Sequence, residues 1–468
     1  MATQSLTHEL AQTVSDLSYE SLPEHVRIRT KDILLDALAS ALAGHDSDEI
    51  HQITGMAGAL GTSAEASVIG GGHLSPAGAT LVNSYLITAV TVCDIHRPTS
   101  CHVTPEVVAP ALVTAELLES SGTAFLTAIA AGLEVTTRIG LGLDFKAFRA
   151  RGWHTPGVTG PFGGAAAVGR LLGLNADQLC HAFGIAGSQA AGTYAQVGTP
   201  TIKFQQARAA LGGLMSARLA FQGFESSREI LLHPDGGLFS AYCGDGRPDA
   251  VLADIGTDWE LMRISLRAWP VGARLQPLVT GLLTALQKRA IDPGNVRKVN
   301  VRISEPTYRL HGKVPWDDRF RARLSAPYVT GVVIRDRQCW LEQFATVRVR
   351  DPALDQFIRE RINVQPDPGL DEAATLIEIE MDDGKIFKEH VTAAKGEPSN
   401  PLTRQEIINK FQSASAPILS PEAAERAIGL VTNLEAVGNM RELSDCLRGA
   451  PGRGPDLASG VKRPGGRR

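Results

Sequence analysis

Residues 21–44, Ser21-Leu22-Pro23-Glu24-His25-Val26-Arg27-Ile28-Arg29-Thr30-Lys31-Asp32-Ile33-Leu34-Leu35-Asp36-Ala37-Leu38-Ala39-Ser40-Ala41-Leu42-Ala43-Gly44, carry the first clear statement of the fold. Ser21 and Glu24 have capping-box spacing and Pro23 sits in the first turn. Val26, Ile33, Leu34, Ala37, Leu38, Ala41 and Leu42 then recur with a helical period, and Gly44 reads as the end. The same Ala- and Leu-rich texture returns at 106–119, 122–140, 161–173 and 205–222, and Asn175 with Gln178 forms another cap-like pair before 177–190. The first part of the chain therefore reads as all-helical.

After Pro270 the texture changes. Val299, Val301 and Ile303 alternate with polar residues, as do Ile377, Ile379 and Met381 before Asp383-Gly384 and a second alternating run, which is the pattern of strands and a hairpin. Between these runs 324–344 and 352–362 read as helical, and from Thr403 the helical pattern returns. The expected fold is mainly α with a second, α+β domain. A helical domain covers 1–268, an α+β domain is inserted over 269–402, helices return over 403–448, and 449–468 form a disordered tail rich in Gly, Pro and Arg. No internal repeat is visible.

The bulk numbers agree with two globular domains. A chain of 468 residues exceeds one ordinary core, and 43% hydrophobic with 21% charged residues is close to the soluble average. With 47 Gly and only 5% aromatics, the apolar content lies in small residues, which suits helices packed backbone to backbone. A net charge of −4 gives no electrostatic reason to expect nucleic acid. The start lacks a basic segment followed by an apolar run, and no window approaches the roughly 20 apolar residues of a membrane span, so a cytoplasmic protein without membrane contact is expected. Six scattered cysteines without a C-x-x-C pair read as free thiols of a reducing compartment.

Four segments carry chemistry. The first, Cys93-Asp94-Ile95-His96-Arg97-Pro98-Thr99-Ser100-Cys101-His102, lies in a loop between apolar helices. It suits acid–base work by His96 or His102 with Asp94 orienting an imidazole, zinc binding (although the spacing matches no usual site), or simple capping of helix ends. The second, Arg151-Gly152-Trp153-His154-Thr155-Pro156-Gly157, sets a histidine before a helix start that attracts anions, against the alternative of a structural histidine. The third runs from Tyr194 to Lys203, with Arg208 on the helix that follows. A lysine there can anchor a carboxylate, act as a base if burial lowers its pKa, or be a solvated surface lysine. The fourth, Arg267-Ala268-Trp269-Pro270-Val271-Gly272-Ala273-Arg274-Leu275-Gln276, places two arginines at the suspected domain junction, where a bidentate grip on carboxylates is natural. Gly160, Gly163, Gly164 and Gly169 follow no strand and read as close helix packing, not as a dinucleotide fingerprint.

In order, Gly-Trp-His-Thr-Pro-Gly, Val-Gly-Thr-x-Thr with a nearby Lys, Ala-Arg-Ala-Ala, Gly-Phe at 223–224, Arg-Ala-Trp-Pro, Leu-Ser-Ala-Pro-Tyr-Val at 324–329 and Asn-Pro-Leu-Thr at 400–403 resemble the MmgE/PrpD family over roughly 5–445. The resemblance implies a large all-helical MmgE/PrpD-type domain with a smaller inserted α+β lid, a homodimer, a small polycarboxylate substrate bound between domains, and no cofactor or metal. It places the family's Asp and His loop on Asp94 and His102 and its Gly-Trp-His histidine on His154. The family lysine falls on Lys203, although counting back from Arg208 reaches Ile202.

Within the family this chain departs at His96, where a threonine is usual, at Arg267, where a lysine is usual, and at Gln276, where a histidine is usual. Those departures favour proton exchange over expulsion of hydroxide or carbon dioxide, so the reading drawn is an epimerase, with iminodisuccinate the first substrate to test. The alternatives are a lyase of the same family, acting as a 2-methylcitrate dehydratase or cis-aconitate decarboxylase, and a non-catalytic polycarboxylate-binding dimer. His154, His102, Lys203 and Asp94 are the expected catalytic residues. His96, Arg267, Arg274, Gln276, Tyr194 and Arg208 are the expected substrate ligands.

Overall fold

The computed structural model describes residues 5–449, so nearly all of the tail expected at 449–468 lies outside the described residues. Contacts divide the chain into two compact units. Among the described residues one comprises 5–89, 93–264 and 404–449; the other comprises 90–92 and 265–403. The second unit thus begins at Ser265 rather than residue 269, and it also takes in Val90–Val92.

The first unit is built from helices: α1 (Glu24–Gly44), α2 (Pro76–Ala89), α3 (Thr104–Leu117), α4 (Gly122–Gly142), α5 (Phe145–Ala150), α6 (Thr155–Leu171), α7 (Ala176–Gln189) and α8 (Thr201–Phe221), joined by the returning helices Arg404–Ser415 and Pro421–Thr432. The predicted capping box at Ser21 does not form. Ser21 bonds back to Ser18, and Pro23 precedes α1 without a side-chain cap. Gly44 closes α1 for a reason other than helix termination: a Cβ there would lie 2.1 Å from the Leu86 carbonyl oxygen, so the glycine permits close approach to α2. The Asn175–Gln178 capping box is present at α7.

Close approach recurs in the centre of the unit, where α6 packs on α8. A Cβ on Gly213 would come within 2.7–2.9 Å of the Gly164 and Ala165 backbone, and one on Gly163 would meet the Thr136 hydroxyl on α4. Helix α6 begins at Thr155, six residues before the predicted start, and carries Pro161 in its interior. Helix α4 is long and apolar enough to cross a membrane by composition, contrary to the reading that no such window exists. Yet 89% of that window is buried inside the protein, as befits a core helix.

The second unit is α+β. Its sheet has the order β2-β1-β3-β4, with β1 Val296–Ser304, β2 Ile362–Asp367, β3 Thr375–Met381 and β4 Ile386–Val391. β2 runs parallel to β1, pairing Val299 with Ile362, while β3 is antiparallel to both β1 and β4. Helices Gln276–Lys288, Ala326–Asp336 and Pro352–Arg361 complete its core with Leu278, Leu282, Val329, Val333 and Phe357. Sequence reading missed β2. This half-exposed strand carries Pro366 and little alternation, so it lacks the pattern of a one-sided buried strand.

Candidate active site

The loop before α3 delivers Asp94, Cys101 and His102. Asp94 is fully buried, and its carboxylate accepts hydrogen bonds from the backbone of Val103 (2.8 Å) and Thr104 (3.1 Å) and from the Thr104 hydroxyl. It therefore caps the start of α3. Burial, with Cys93 nearby, lifts its pKa to about 6 against the opposing pull of His102 and of the Thr104 and Val103 bonds. The imidazole of His102 is oriented by Asp94, though through the main chain: Nδ1 donates to the Asp94 carbonyl at 2.6 Å. That bond puts the proton of the neutral ring on Nδ1 and the lone pair on Nε2.

His154 stands just before α6, and its backbone N–H donates to the Gly192 carbonyl at 3.0 Å. The side chain is 6% exposed, and no hydrogen bond closes at Nδ1. Burial, then His102 and the charges of Lys203 and Arg149, push its pKa down to about 3, with Gln205 acting the other way. The ring is therefore a neutral base through the neutral pH range. Lys203, in the first turn of α8, is itself buried. Thus His102, His154 and Lys203, far apart in the chain, meet electrostatically within one unit.

The other expected ligands have different fates. Tyr194 lies beside His154, with ring centroids 6.3 Å apart, and is covered by the Arg149 guanidinium 3.3 Å from its own ring. Arg208 donates to the carbonyls of Gln189 (2.7 Å), Ala191 (3.1 Å) and Gly157 (3.3 Å). His96, expected as a substrate ligand, is fully buried with both ring nitrogens engaged, by Thr99 at 2.8 Å and Glu260 at 3.0 Å. These bonds also keep His96 out of any metal set with Cys93, Cys101 and His102. Among the described residues no three His, Cys, Asp or Glu side chains converge in that way.

In the second unit Gln276 is likewise occupied: its amide nitrogen donates to the carbonyls of Trp269 (2.8 Å) and Val271 (3.3 Å), and its oxygen accepts from Trp269 N–H at 3.4 Å. These bonds hold the Trp269–Val271 turn. Arg274 pairs with Glu372 at 2.8 Å, and Arg267 is buried.

Sequence reading missed three groups. Arg149 sits beside His154 and donates to the Trp153 carbonyl at 2.8 Å. Gln205 donates to the Thr193 carbonyl at 3.0 Å and stands by the His154 ring. Glu106, in the first turn of α3, is fully buried, and neither carboxyl oxygen closes a hydrogen bond with the described residues. Burial and then the proximity of Asp94 hold Glu106 well above the usual carboxylate range. Its sequence signal was one carboxylate followed by the apolar run Val107-Val108-Ala109.

The model for the MmgE/PrpD N-terminal domain matches residues 8–250, and that for the MmgE/PrpD C-terminal domain matches 269–436. The chain is 28% identical to a cis-aconitate decarboxylase-like protein of Aspergillus oryzae, over 95% of this chain and 98% of that protein. It is 28% identical to a cis-aconitate decarboxylase of Aspergillus terreus, over 95% and 96%. The human cis-aconitate decarboxylase is 24% identical over 98% of this chain and 97% of its own length. These relatives carry the decarboxylase name, not the epimerase name towards which the sequence departures pointed.

Proposed function

The chain belongs to the MmgE/PrpD family, and from that membership we propose that it is a lyase acting on a small tricarboxylic acid, with decarboxylation of cis-aconitate the first reaction to test. The observation that carries this reading is the meeting of a neutral, buried His154 with His102 and Lys203 in the first unit. Lyase chemistry on such an acid needs positive charge for carboxylates and groups that move a proton at carbon, and it gains from exclusion of water. When the bond to the departing carboxyl breaks, carbon dioxide leaves and the electron pair stays behind, spread into the adjoining double bond. A proton from the enzyme then completes the product. Lys203 gives that proton, and His154, neutral at working pH, takes a replacement from solvent and relays it to Lys203.

The isomerase reading rested on His96, Arg267 and Gln276, and internal partners account for two of these. An assay in deuterium oxide separates the readings. The lyase releases carbon dioxide from cis-aconitate and leaves deuterium at the carbon that gains a proton, or forms an alkene from 2-methylcitrate by loss of a proton and the hydroxyl. Stereoinversion of iminodisuccinate with solvent deuterium at the inverted carbon, and with neither lyase product, overturns the proposal in favour of the isomerase. His154→Gln is expected to lower kcat by about 10²–10⁴-fold with an unchanged circular dichroism spectrum; wild-type turnover removes His154 from the mechanism.

A further inference from the structure

Helix α6 carries Pro161 in its interior, and a proline there has no N–H for the carbonyl four residues earlier, that of Gly157. The Ala191 N–H takes that carbonyl at 3.0 Å, together with Arg208 at 3.3 Å. Gly157 has no side chain to obstruct the approach; a Cβ would lie 2.3 Å from the Ala191 oxygen. The chain leaving α7 is thereby laid along the first turn of α6.

From Gln189 to Thr193, every carbonyl accepts a hydrogen bond from outside the segment. Gln189 and Ala191 are held by Arg208 (2.7 and 3.1 Å), Ala190 by the Tyr242 hydroxyl (2.6 Å), Gly192 by the His154 N–H (3.0 Å) and Thr193 by Gln205 (3.0 Å). The strap also pairs with the residues before His154: Tyr194 N–H donates to the Gly152 carbonyl at 2.7 Å, and Trp153 bridges antiparallel to Thr193. One guanidinium thus fastens three carbonyls around the point where the His154 backbone is docked. An ammonium, a point charge on a flexible stem, cannot reproduce that fork.

We propose that Arg208 is a positioning residue that fixes His154 by clamping the 189–193 strap, and that it does not bind substrate. Only the kinetic arm of the test below rests on the lyase reading. The groups facing the His154 ring are His102 from the loop before α3, Arg149 from α5, Lys203 and Gln205 from α8, and Tyr194 just after the strap. Loosening the strap admits water to this ring. Its depressed pKa should then rise towards the ordinary value of about 6.5.

The test is acylation of His154 by diethyl pyrocarbonate, followed by peptide mass spectrometry, in the wild-type protein and in Arg208→Lys, with exposed His51 as internal standard. His154 should react at least about tenfold faster in the variant while His51 is unchanged, because reactivity of a buried group follows local opening. On the lyase substrate, kcat should fall by about 10²-fold, KM should change by less than about threefold, and the acid limb of the kcat profile should move to higher pH. Should Arg208→Lys fail to fold, Tyr242→Phe removes only the Ala190 bond and should give a smaller acceleration of the same sign. Unchanged His154 reactivity in a folded variant overturns the proposal, as does a raised KM with unchanged kcat, which would make Arg208 a substrate ligand. If the wild-type protein turns over no tricarboxylate, the lyase reading falls and the acylation result still decides the role of Arg208.

Discussion

Glu106 joins two demands that conflict. Its methylene fits against Gly160, where a Cβ would lie 2.4 Å from Glu106 Cγ, while its carboxyl is shut away from water without a hydrogen-bond partner among the described residues. An ionised group in such a place is far more costly than a neutral one, and Asp94, charged and fastened to the start of α3, makes a second charge harder still. Glu106 therefore holds its proton to higher pH in the folded protein than in the unfolded chain, where it is lost near pH 4.3. Because the folded pKa is the higher one, the associated stability is complete in acid and is lost as pH rises from about 4.3 towards the folded value. Glu106→Gln cannot ionise in either state. Its melting temperature should rise relative to wild type as the pH goes from about 4 to about 8. A difference that does not vary with pH would mean that Glu106 is not a buried neutral acid.

At the scale of elements, the helix contacts of the first unit depend on residues that have no side chain. Gly213 on α8 meets the backbone of α6, which cannot retreat as a flexible side chain would. Gly213→Ala should destabilise by about 1–3 kcal/mol through overpacking. Gly429 supplies a control, since it lies in the exposed part of the helix Pro421–Thr432 with nothing within 4 Å of an added Cβ. There Ala should stabilise by about 0.5–1 kcal/mol, because Gly carries the larger backbone entropy loss in a helix. Chemical denaturation of both variants checks the pair, and equal effects would remove the argument for close approach of α6 and α8.

For the molecule as a whole, each unit contains a buried histidine held neutral, His154 with a pKa near 3 and His311 near 4, both lowered chiefly by burial. A depressed folded pKa means that the unfolded chain binds protons first. Stability is therefore full above about pH 6.5 and declines as pH falls towards the folded values. His311→Gln should consequently lose less stability than wild type between about pH 6.5 and pH 4, whatever offset the lost bond to the Leu324 carbonyl introduces. Parallel melting curves across that range would exclude a buried neutral His311. What the sequence determined by itself was local. The period of α1, the Asn175 cap, and the alternation of β1 and the β3–β4 hairpin are written within a few residues, because helix and strand periodicity arise from neighbouring backbone geometry. The histidines of the candidate site were visible as residue types in loops, and the lysine beside a Gly/Pro turn at a helix start. What surrounds them was decided by tertiary structure. His96 finds Glu260 across 164 positions, Gln276 folds back on its own turn, and Arg208 clamps a strap that Pro161 and Gly157 leave room for. The partners of a buried polar group, and hence its charge and its role, are set by which distant segments packing brings beside it; no local pattern in the sequence specifies that.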